Sequence, residues 1–159
     1  MKKKRAIRPN AAQASTKPKA KKRSAPRSKE RILVVDDDPQ SLAVFSALLN
    51  AAGYRVDQTD HALAAIFAVV RHAPDLILAD IRMPIIDGKE LVLELKRHRD
   101  SRHIPIVALT GYDTPGMRES AIKAGYDDYI TKPIDPRRFS QQIAKFLRRQ
   151  ELTRTPQCP

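Results

Sequence analysis

The chain has 159 residues, and its hydrophobic content of 42% is enough for one globular domain with a substantial core. Its formal charge of +12 is unevenly placed, since residues 1–30 carry 12 Lys/Arg and one acid while the remainder is nearly neutral. The single cysteine, Cys158, excludes a disulfide framework, and the longest apolar run, residues 62–70, is far shorter than the about 20 residues of a membrane span. The basic start also lacks the apolar stretch of a secretory signal, so we expect a cytoplasmic protein without a transmembrane segment.

The chain divides into three segments by composition. Residues 1–30 consist mainly of Lys, Arg, Ala, Pro and Ser, which predicts a disordered basic tail. From Arg31 onward, apolar segments of strand length alternate five times with segments of helical periodicity, and this pattern ends at about Arg149. We therefore interpret residues 31–149 as the folded domain and residues 150–159 as a flexible C-terminal tail.

The alternation predicts a doubly wound (βα)5 domain of the α/β class, with a five-stranded parallel sheet. The strands are expected to be buried on both faces because their segments are apolar, and they are predicted at 32–36, 54–59, 76–80, 104–110 and 128–131. Apolar residues spaced by three or four predict the helices: Leu42, Phe45, Leu48 and Leu49 in the first; Leu63, Ile66, Phe67 and Val70 in the second; Leu91, Leu93 and Leu95 in the third; residues 114–124 in the fourth; Phe139, Ile143, Phe146 and Leu147 in the fifth.

Polar residues follow four of the predicted strands. Open parallel sheets bind ligands beyond the carboxyl ends of their strands, and there the sequence has Asp36-Asp37, Asp80, Thr110 and Lys132. Clustered carboxylates without a cysteine or a nearby histidine favour a hard cation, Mg²⁺ or Mn²⁺, which would also relieve the repulsion between the acids. A lysine beside such a site is a natural partner for a phosphate group.

Four segments carry a resemblance to a known family. ILVVDDDP, LILADIRMPIIDG, IVALTG and DDYITKP, in this order, resemble the receiver domain of two-component response regulators of the single-domain, chemotaxis-receiver type. The resemblance covers residues 30–149, and the intervals between Asp37, Asp80, Thr110 and Lys132 are 43, 30 and 22 residues. It implies a flavodoxin-like fold with strand order 2-1-3-4-5.

The resemblance also implies roles for the residues at the strand ends. Asp80 matches the phosphoacceptor, and Asp36, Asp37, Asp80 and the backbone carbonyl of Arg82 match the ligands of Mg²⁺ or Mn²⁺. Lys132 matches the residue that binds a phosphoryl oxygen. A carboxylate attacks an anionic phosphoryl group only when positive charge neutralises their repulsion, which is consistent with these roles.

A second set of implied roles concerns the response to phosphorylation and its lifetime. Thr110 and Tyr129 match the switch pair, in which the threonine moves toward the phosphoryl group and the tyrosine turns into the vacated space. The Lys132–Pro133 bond matches a cis peptide of the family. Arg82 and Tyr112 are bulky and flank the expected path of the hydrolytic water, so we predict slow self-dephosphorylation.

The resemblance implies a stand-alone response regulator, which is a phosphoacceptor and not an enzyme beyond its own phosphorylation and slow dephosphorylation. Its donor would be a histidine kinase or a histidine phosphotransfer protein in bacterial signalling. Its output would be an effector protein that reads the surface of the fourth helix, fifth strand and fifth helix. No further domain follows the fifth helix in this sequence, so no DNA-binding helix-turn-helix is expected.

Two alternatives remain open from the sequence alone. Asp36-x-Asp38 after an apolar strand looks like the nucleophile motif of haloacid-dehalogenase-type phosphohydrolases, although the order of Lys132 and Asp127-Asp128 and the presence of Gln40 do not fit. Asp38 is better explained as the residue that begins the first helix before Pro39. In the other alternative, the receiver regulates weak, non-specific binding of residues 1–30 to nucleic acid or an anionic surface.

Overall fold

The computed structural model describes residues 30–83, 87–111 and 114–154. Five parallel strands form one sheet in the order β2-β1-β3-β4-β5, which confirms the predicted fold and strand order. The elements are β1 (Arg31–Val35), α1 (Pro39–Ala51), β2 (Arg55–Thr59), α2 (Ala62–Arg71), β3 (Leu76–Asp80), α3 (Gly88–Arg97), β4 (Ile106–Thr110), α4 (Met117–Ala124), β5 (Asp128–Thr131) and α5 (Pro136–Arg154). The predicted tail 1–30 lies outside the described residues except for Glu30, as do Tyr112 and residues 155–159.

The fifth helix is longer than the sequence pattern indicated. It ends at Arg154, so residues 150–154 belong to α5 and not to the predicted C-terminal tail. The apolar periodicity that carried the prediction ends at Leu147, seven residues before the end of the helix. Gln150, Glu151, Leu152 and Arg154 are good helix formers, so their backbone propensity extends the helix beyond this pattern.

The two faces of the sheet carry separate hydrophobic cores. On one face, α2, α3 and α4 pack against alternate residues of the central strands, with Leu91, Leu95 and Ile106 among the buried side chains. On the other face, α1 and α5 cover the sheet through residues such as Phe45 and Phe139. This arrangement buries β1, β3 and β4 almost completely, as the apolar segments predict. In the described part of the chain, no helix is both long and apolar enough to cross a membrane.

The second helix does not pack as its large apolar residues predict. Leu63, Phe67 and Val70 are 53%, 61% and 79% exposed. Ala65 and Val69, which have smaller side chains than Leu63 and Phe67, are buried against the sheet instead. Every residue of α2 before Arg71 is apolar, so the pattern does not distinguish the two sides of the helix. Leu93 of α3 is likewise 49% exposed, whereas the predicted Leu91 and Leu95 are buried.

Two carboxylates fix the local structure around α1 and α3. Asp38 caps α1, because its carboxylate accepts hydrogen bonds from the backbone of Gln40 and Ser41, both at 3.1 Å, and from the Ser41 hydroxyl at 2.8 Å. These hydrogen bonds, first among them the one from the hydroxyl, lower the pKa of Asp38. Asp127 joins α3 to β4, since it accepts from Lys96 Nζ at 2.8 Å and from Ile106 N at 2.7 Å. Both acids therefore have structural roles.

Gly88 lies where the chain approaches itself most closely beside the carboxyl edge of the sheet. A Cβ atom at this position would overlap the backbone carbonyl oxygen of Asp80 and lie 2.6 Å from the Tyr126 hydroxyl. The first of these neighbours is backbone at the end of a buried strand, so it cannot rotate away. Glycine is thus required at the start of α3.

We predict that Gly88→Ala lowers the free energy of unfolding by about 2 kcal/mol, because the added methyl group overpacks a rigid region. Urea denaturation followed by circular dichroism measures the change. Gly111→Ala is the matched control, since a Cβ there meets nothing within 4 Å and we expect little loss. Equal losses for the two variants would contradict the steric explanation.

Candidate functional site

The predicted site residues meet at the carboxyl edge of the sheet. Asp36 follows β1, Asp80 ends β3, Thr110 ends β4 and Lys132 follows β5. These four positions come together because neighbouring strands are parallel and therefore end at the same edge. The arrangement brings residues separated by up to 96 positions into direct contact.

Three carboxylates form the acidic part of the site. Asp36, Asp37 and Asp80 each offer an oxygen atom, and these oxygens lie within 4.8 Å of one another. Asp36 is fully buried, Asp80 has a side chain that is 16% exposed, and Asp37 is exposed to solvent. An oxygen-only donor set that opens to solvent on one side fits a hard divalent cation such as Mg²⁺ or Mn²⁺.

Lys132 connects two of these carboxylates. Its Nζ atom donates to Asp36 Oδ2 at 2.6 Å and to Asp80 Oδ2 at 3.2 Å. The ammonium group also lies 5.7 Å from the centre of the Phe45 ring, which adds a cation–π contact on its apolar side. The other oxygen of each acid is held by the backbone, since Asp38 N donates to Asp36 Oδ1 at 3.0 Å and Arg82 N donates to Asp80 Oδ1 at 3.3 Å.

Burial and charge act in opposite directions on the central pair. Burial raises the pKa of Asp80, and the attraction of Lys132 offsets this effect only in part, so the pKa stays above its usual range. Burial would lower the pKa of Lys132, but the hydrogen bond to Asp36 and the charges of Asp80 and Asp36 outweigh it and raise that pKa. Lys132 is therefore firmly protonated at neutral pH, and its positive charge is a fixed part of the site.

Thr110 and Tyr129 share one face of the sheet. Ala108 pairs with Tyr129 and Thr110 pairs with Thr131, so the side chains of Thr110 and Tyr129 both point toward the α2-α3-α4 side. Thr110 is buried, and Tyr129 is half-buried against the core on that side. The Thr110 carbonyl accepts from Lys132 N at 2.7 Å, and the following Lys132–Pro133 bond is cis, in agreement with the resemblance.

The comparison with known proteins identifies the family. Residues 32–144, more than half of the chain, match the family model described as the response regulator receiver domain. The chain belongs to the response regulator receiver family. The haloacid-dehalogenase alternative, which the sequence left open, gains no support from this match, and the capping role of Asp38 accounts for the acid on which it depended.

Relatives of this receiver domain include response regulators that match it over nearly their whole length. The polar-differentiation response regulator DivK of Brucella anthropi is 35% identical over 116 residues, which cover 73% of this chain and 94% of DivK. A CheY-like receiver domain protein of Methanospirillum hungatei is similar in structure, with a TM-score of 0.71, 31% identity, and coverage of 79% of this chain and 99% of that protein.

A third relative was determined with a metal ion. The receiver domain of a sensor histidine kinase of Pseudomonas aeruginosa has a magnesium ion coordinated in its active-site cleft. It is 33% identical to this receiver domain with a TM-score of 0.67, and the alignment covers 77% of this chain and 97% of that one.

Next to the acids, the receiver domain has a cleft of about 620 Å³ that runs from Asp80 and Lys132 past Thr110 to Tyr126. Sequence reasoning missed Tyr126, which is 2% exposed and whose hydroxyl has no hydrogen-bond partner among the described residues. Burial, followed by the charges of Asp87 and Asp80, raises the pKa of this phenol far above its usual value. Its position against Gly88 arises from the tertiary fold, and no local pattern in the sequence marks it.

Of the two residues predicted to tune dephosphorylation, the structure describes only Arg82. Arg82 is exposed beside the acids, where its backbone N–H contacts Asp80. Its carbonyl as a metal ligand and its side chain as a barrier to water remain predictions. Tyr112 lies outside the described residues, so its role stays a prediction as well.

The raised pKa of Asp80 predicts how stability depends on pH when divalent cations are removed by a chelator. The folded state favours the protonated acid, so stability is lost as the pH rises through the folded-state pKa. We expect Asp80→Asn to be more stable than wild type at neutral pH, and the difference to shrink as the pH falls below the usual carboxylate range. Urea unfolding at a series of pH values tests this, and a difference that grows toward acidic pH would contradict it.

Proposed function

We propose that this protein is a stand-alone response regulator whose Asp80 accepts a phosphoryl group from a histidine kinase or a histidine phosphotransfer protein. The observation that supports this most strongly is the contact of Lys132 with both Asp36 and Asp80 within a cluster of three carboxylates. The cleft beside Asp80 provides access for a donor. Membership of the receiver family, whose general function is phosphoryl-dependent signalling, supports the same conclusion.

In the proposed reaction, an oxygen of the Asp80 carboxylate attacks the phosphorus atom of a phosphohistidine. The new O–P bond forms as the N–P bond breaks, and the imidazole nitrogen leaves with the bonding electron pair. Asp36, Asp37, Asp80 and the Arg82 carbonyl would hold Mg²⁺ or Mn²⁺, which when bound neutralises charge on the transferred group. Lys132 would contribute a second positive charge to a phosphoryl oxygen, since its ammonium already lies 3.2 Å from Asp80 Oδ2.

Phosphorylation would add charge and acceptor oxygens next to Thr110. The hydroxyl of Thr110 would move toward a phosphoryl oxygen, and Tyr129 would turn into the space that Thr110 leaves. Their location on the same side of adjacent strands supports this coupling. The movement would change the surface formed by α4, β5 and α5, which we propose as the surface read by an effector protein.

The lifetime of the phosphoryl group depends on the access of water to the acyl phosphate. We propose that Arg82 and Tyr112 shield it and slow the self-dephosphorylation. Because this reaction consumes the regulator's own phosphoryl group and no external substrate, the protein is proposed as a signalling phosphoacceptor and not as an enzyme that turns over other substrates.

Phosphorylation should be visible in the mass of the intact protein after incubation with Mg²⁺ and acetyl phosphate. We expect wild type to gain one phosphoryl group and Asp80→Asn to gain none. Asp38→Asn is the matched control: it alters the adjacent acid of the same loop, keeps a residue that caps helices well, and should be phosphorylated like wild type. A gain that persists in Asp80→Asn would mean that another residue is the acceptor.

Metal binding can be tested separately from phosphorylation. A cation that binds only the folded state stabilises it, by about 2.7 kcal/mol when its concentration is 100 times the dissociation constant. We expect MgCl₂ to raise the midpoint of thermal unfolding of wild type and of Asp38→Asn, and to leave Asp37→Asn unchanged. Asp37 suits this test because it is exposed, so its replacement should barely alter the metal-free protein. An equal shift in all three proteins would contradict the proposed ligand set.

A further inference from the structure

Helix α2 has a continuous apolar stripe on its solvent side. Leu63, Phe67 and Val70 are each more than half exposed, and we call these three residues the α2 stripe. Their spacing of four and three residues places them within about 60° of one another around the helix axis and along about 10 Å of its length. The other exposed large hydrophobic residues among those described lie singly on α1, α3 and α4. Single exposed apolar residues are normal on a protein surface, whereas a contiguous row marks a contact surface.

No charged residue interrupts the α2 stripe. The helix is apolar from Ala62 to Val70, although the solvent side of a surface helix normally carries polar residues. The opposite side of the helix is already in use, since Ala65 and Val69 are buried against the sheet. Helix α2 therefore has a second apolar side, which is open to solvent in the part of the chain that the structure describes.

Opposite charges lie at the two ends of the α2 stripe. Asp60 directly precedes His61, the residue that caps the start of the helix, and Arg71 is the last residue of the helix. Both are exposed, and neither has an ion-pair partner among the described residues. Arg71 follows Phe67 by four residues, so it lies on the same side of the helix as the stripe. The surface is thus acidic at one end, apolar along its length and basic at the other end.

We infer that the α2 stripe is the contact between two copies of this protein, which pack their α2 helices antiparallel about a two-fold axis. In this arrangement Phe67 lies at the centre against the same residue of the second copy, and Leu63 lies opposite Val70. The same register brings Asp60 of each copy to the end where Arg71 of the other copy lies. One alignment of the helices therefore satisfies the apolar contacts and forms two ion pairs.

The charges select both the orientation and the occupant. A parallel arrangement would place Asp60 beside Asp60 and Arg71 beside Arg71, so repulsion opposes it. The antiparallel arrangement also sets the start of each helix beside the end of the other, which the helix dipoles favour. An unrelated partner would have to match this order of charges, whereas a second copy matches it by symmetry.

The inferred contact lies away from the surface proposed for an effector protein. Helix α2 packs over β1 and β2, whereas α4 packs beside β5 at the opposite edge of the sheet. A dimer formed through α2 therefore leaves the surface of α4, β5 and α5 uncovered. Three large side chains from each copy make a small interface, and small interfaces are weak, so we expect reversible dimerisation in the micromolar range.

Sedimentation equilibrium of the full-length protein tests the inference, at about 5 to 500 μM protein and about 150 mM salt. We expect wild type to equilibrate between monomer and dimer. Phe67→Gln should raise the dissociation constant at least about tenfold, because it removes the aromatic residue at the centre of the interface. Val44→Gln is the matched control, since Val44 is similarly exposed but lies on α1, across the sheet. Its dissociation constant should stay within about twofold of wild type, and circular dichroism verifies that both variants are folded.

Exchanging the charges tests the orientation of the helices. Asp60→Arg and Arg71→Asp should each weaken the dimer, because like charges then meet at both ends of the interface. The loss should shrink as the salt concentration rises. An equimolar mixture of the two variants should recover the wild-type dissociation constant, since each contact between the two different copies again joins an acid to a base.

Three results would overturn the inference. Wild type that stays monomeric over the whole concentration range would leave the α2 stripe to another occupant, such as a different protein. Equal losses in Phe67→Gln and Val44→Gln would show that any exposed apolar residue promotes the association. Single charge variants that dimerise like wild type would exclude the antiparallel contact. None of these results bears on phosphorylation of Asp80, since the sedimentation experiment contains no phosphodonor.

Discussion

The pairing of Lys132 with Asp36 is the contact on which the rest of the site depends. Asp36 is fully buried, and an ionised carboxylate without a partner would be costly to bury at this depth. Lys132 supplies the compensating charge at 2.6 Å and reaches Asp80 with the same ammonium group. The backbone of Lys132 is itself held in place, because its N–H donates to the Thr110 carbonyl at 2.7 Å. One cation therefore holds the ends of β1, β3 and β5 together.

This dependence explains why the site needs four of the five strands. The order β2-β1-β3-β4-β5 places the strands that end in Asp36 and Asp80 next to each other and brings Thr110 to the adjacent strand end. Aspartate, threonine and lysine are common residue types, and it is the parallel pairing of the strands that brings these side chains together. The same register determines that Thr110 and Tyr129 face the same side of the sheet, and Thr110 lines the cleft beside Asp80. The backbone hydrogen bonds between β3, β4 and β5 therefore both hold the sheet together and set the positions of the proposed switch residues.

The sequence predicts those features that depend on local pattern. The apolar segments identify β3 and β5 with their observed bounds, and the rule for strand ends correctly groups Asp36, Asp37, Asp80 and Lys132 at one edge of the sheet. The pattern fails in α2, where Phe67 is exposed, because a helix that is apolar on all sides gives no indication of which side is buried. Tyr126 and the close approach at Gly88 are not predictable for a different reason. Tyr126 and Gly88 are 38 residues apart in the chain and meet only in the folded structure. A single sequence does not show which remote segments come into contact.

The carboxylates and the C-terminal half of α5 lie at opposite ends of the domain, and their separation limits how they can communicate. The carboxylates lie at the edge of the sheet where α5 begins, and α5 runs toward the opposite edge, where β1 begins. The 19-residue helix between them is about 28 Å long, several times the Debye length of about 8 Å at physiological ionic strength. A phosphoryl group on Asp80 would therefore exert little direct electrostatic effect near the C-terminal half of α5. Any influence of phosphorylation there must be carried by a change in packing around β5 and α5, because the electrostatic field alone is screened over this distance.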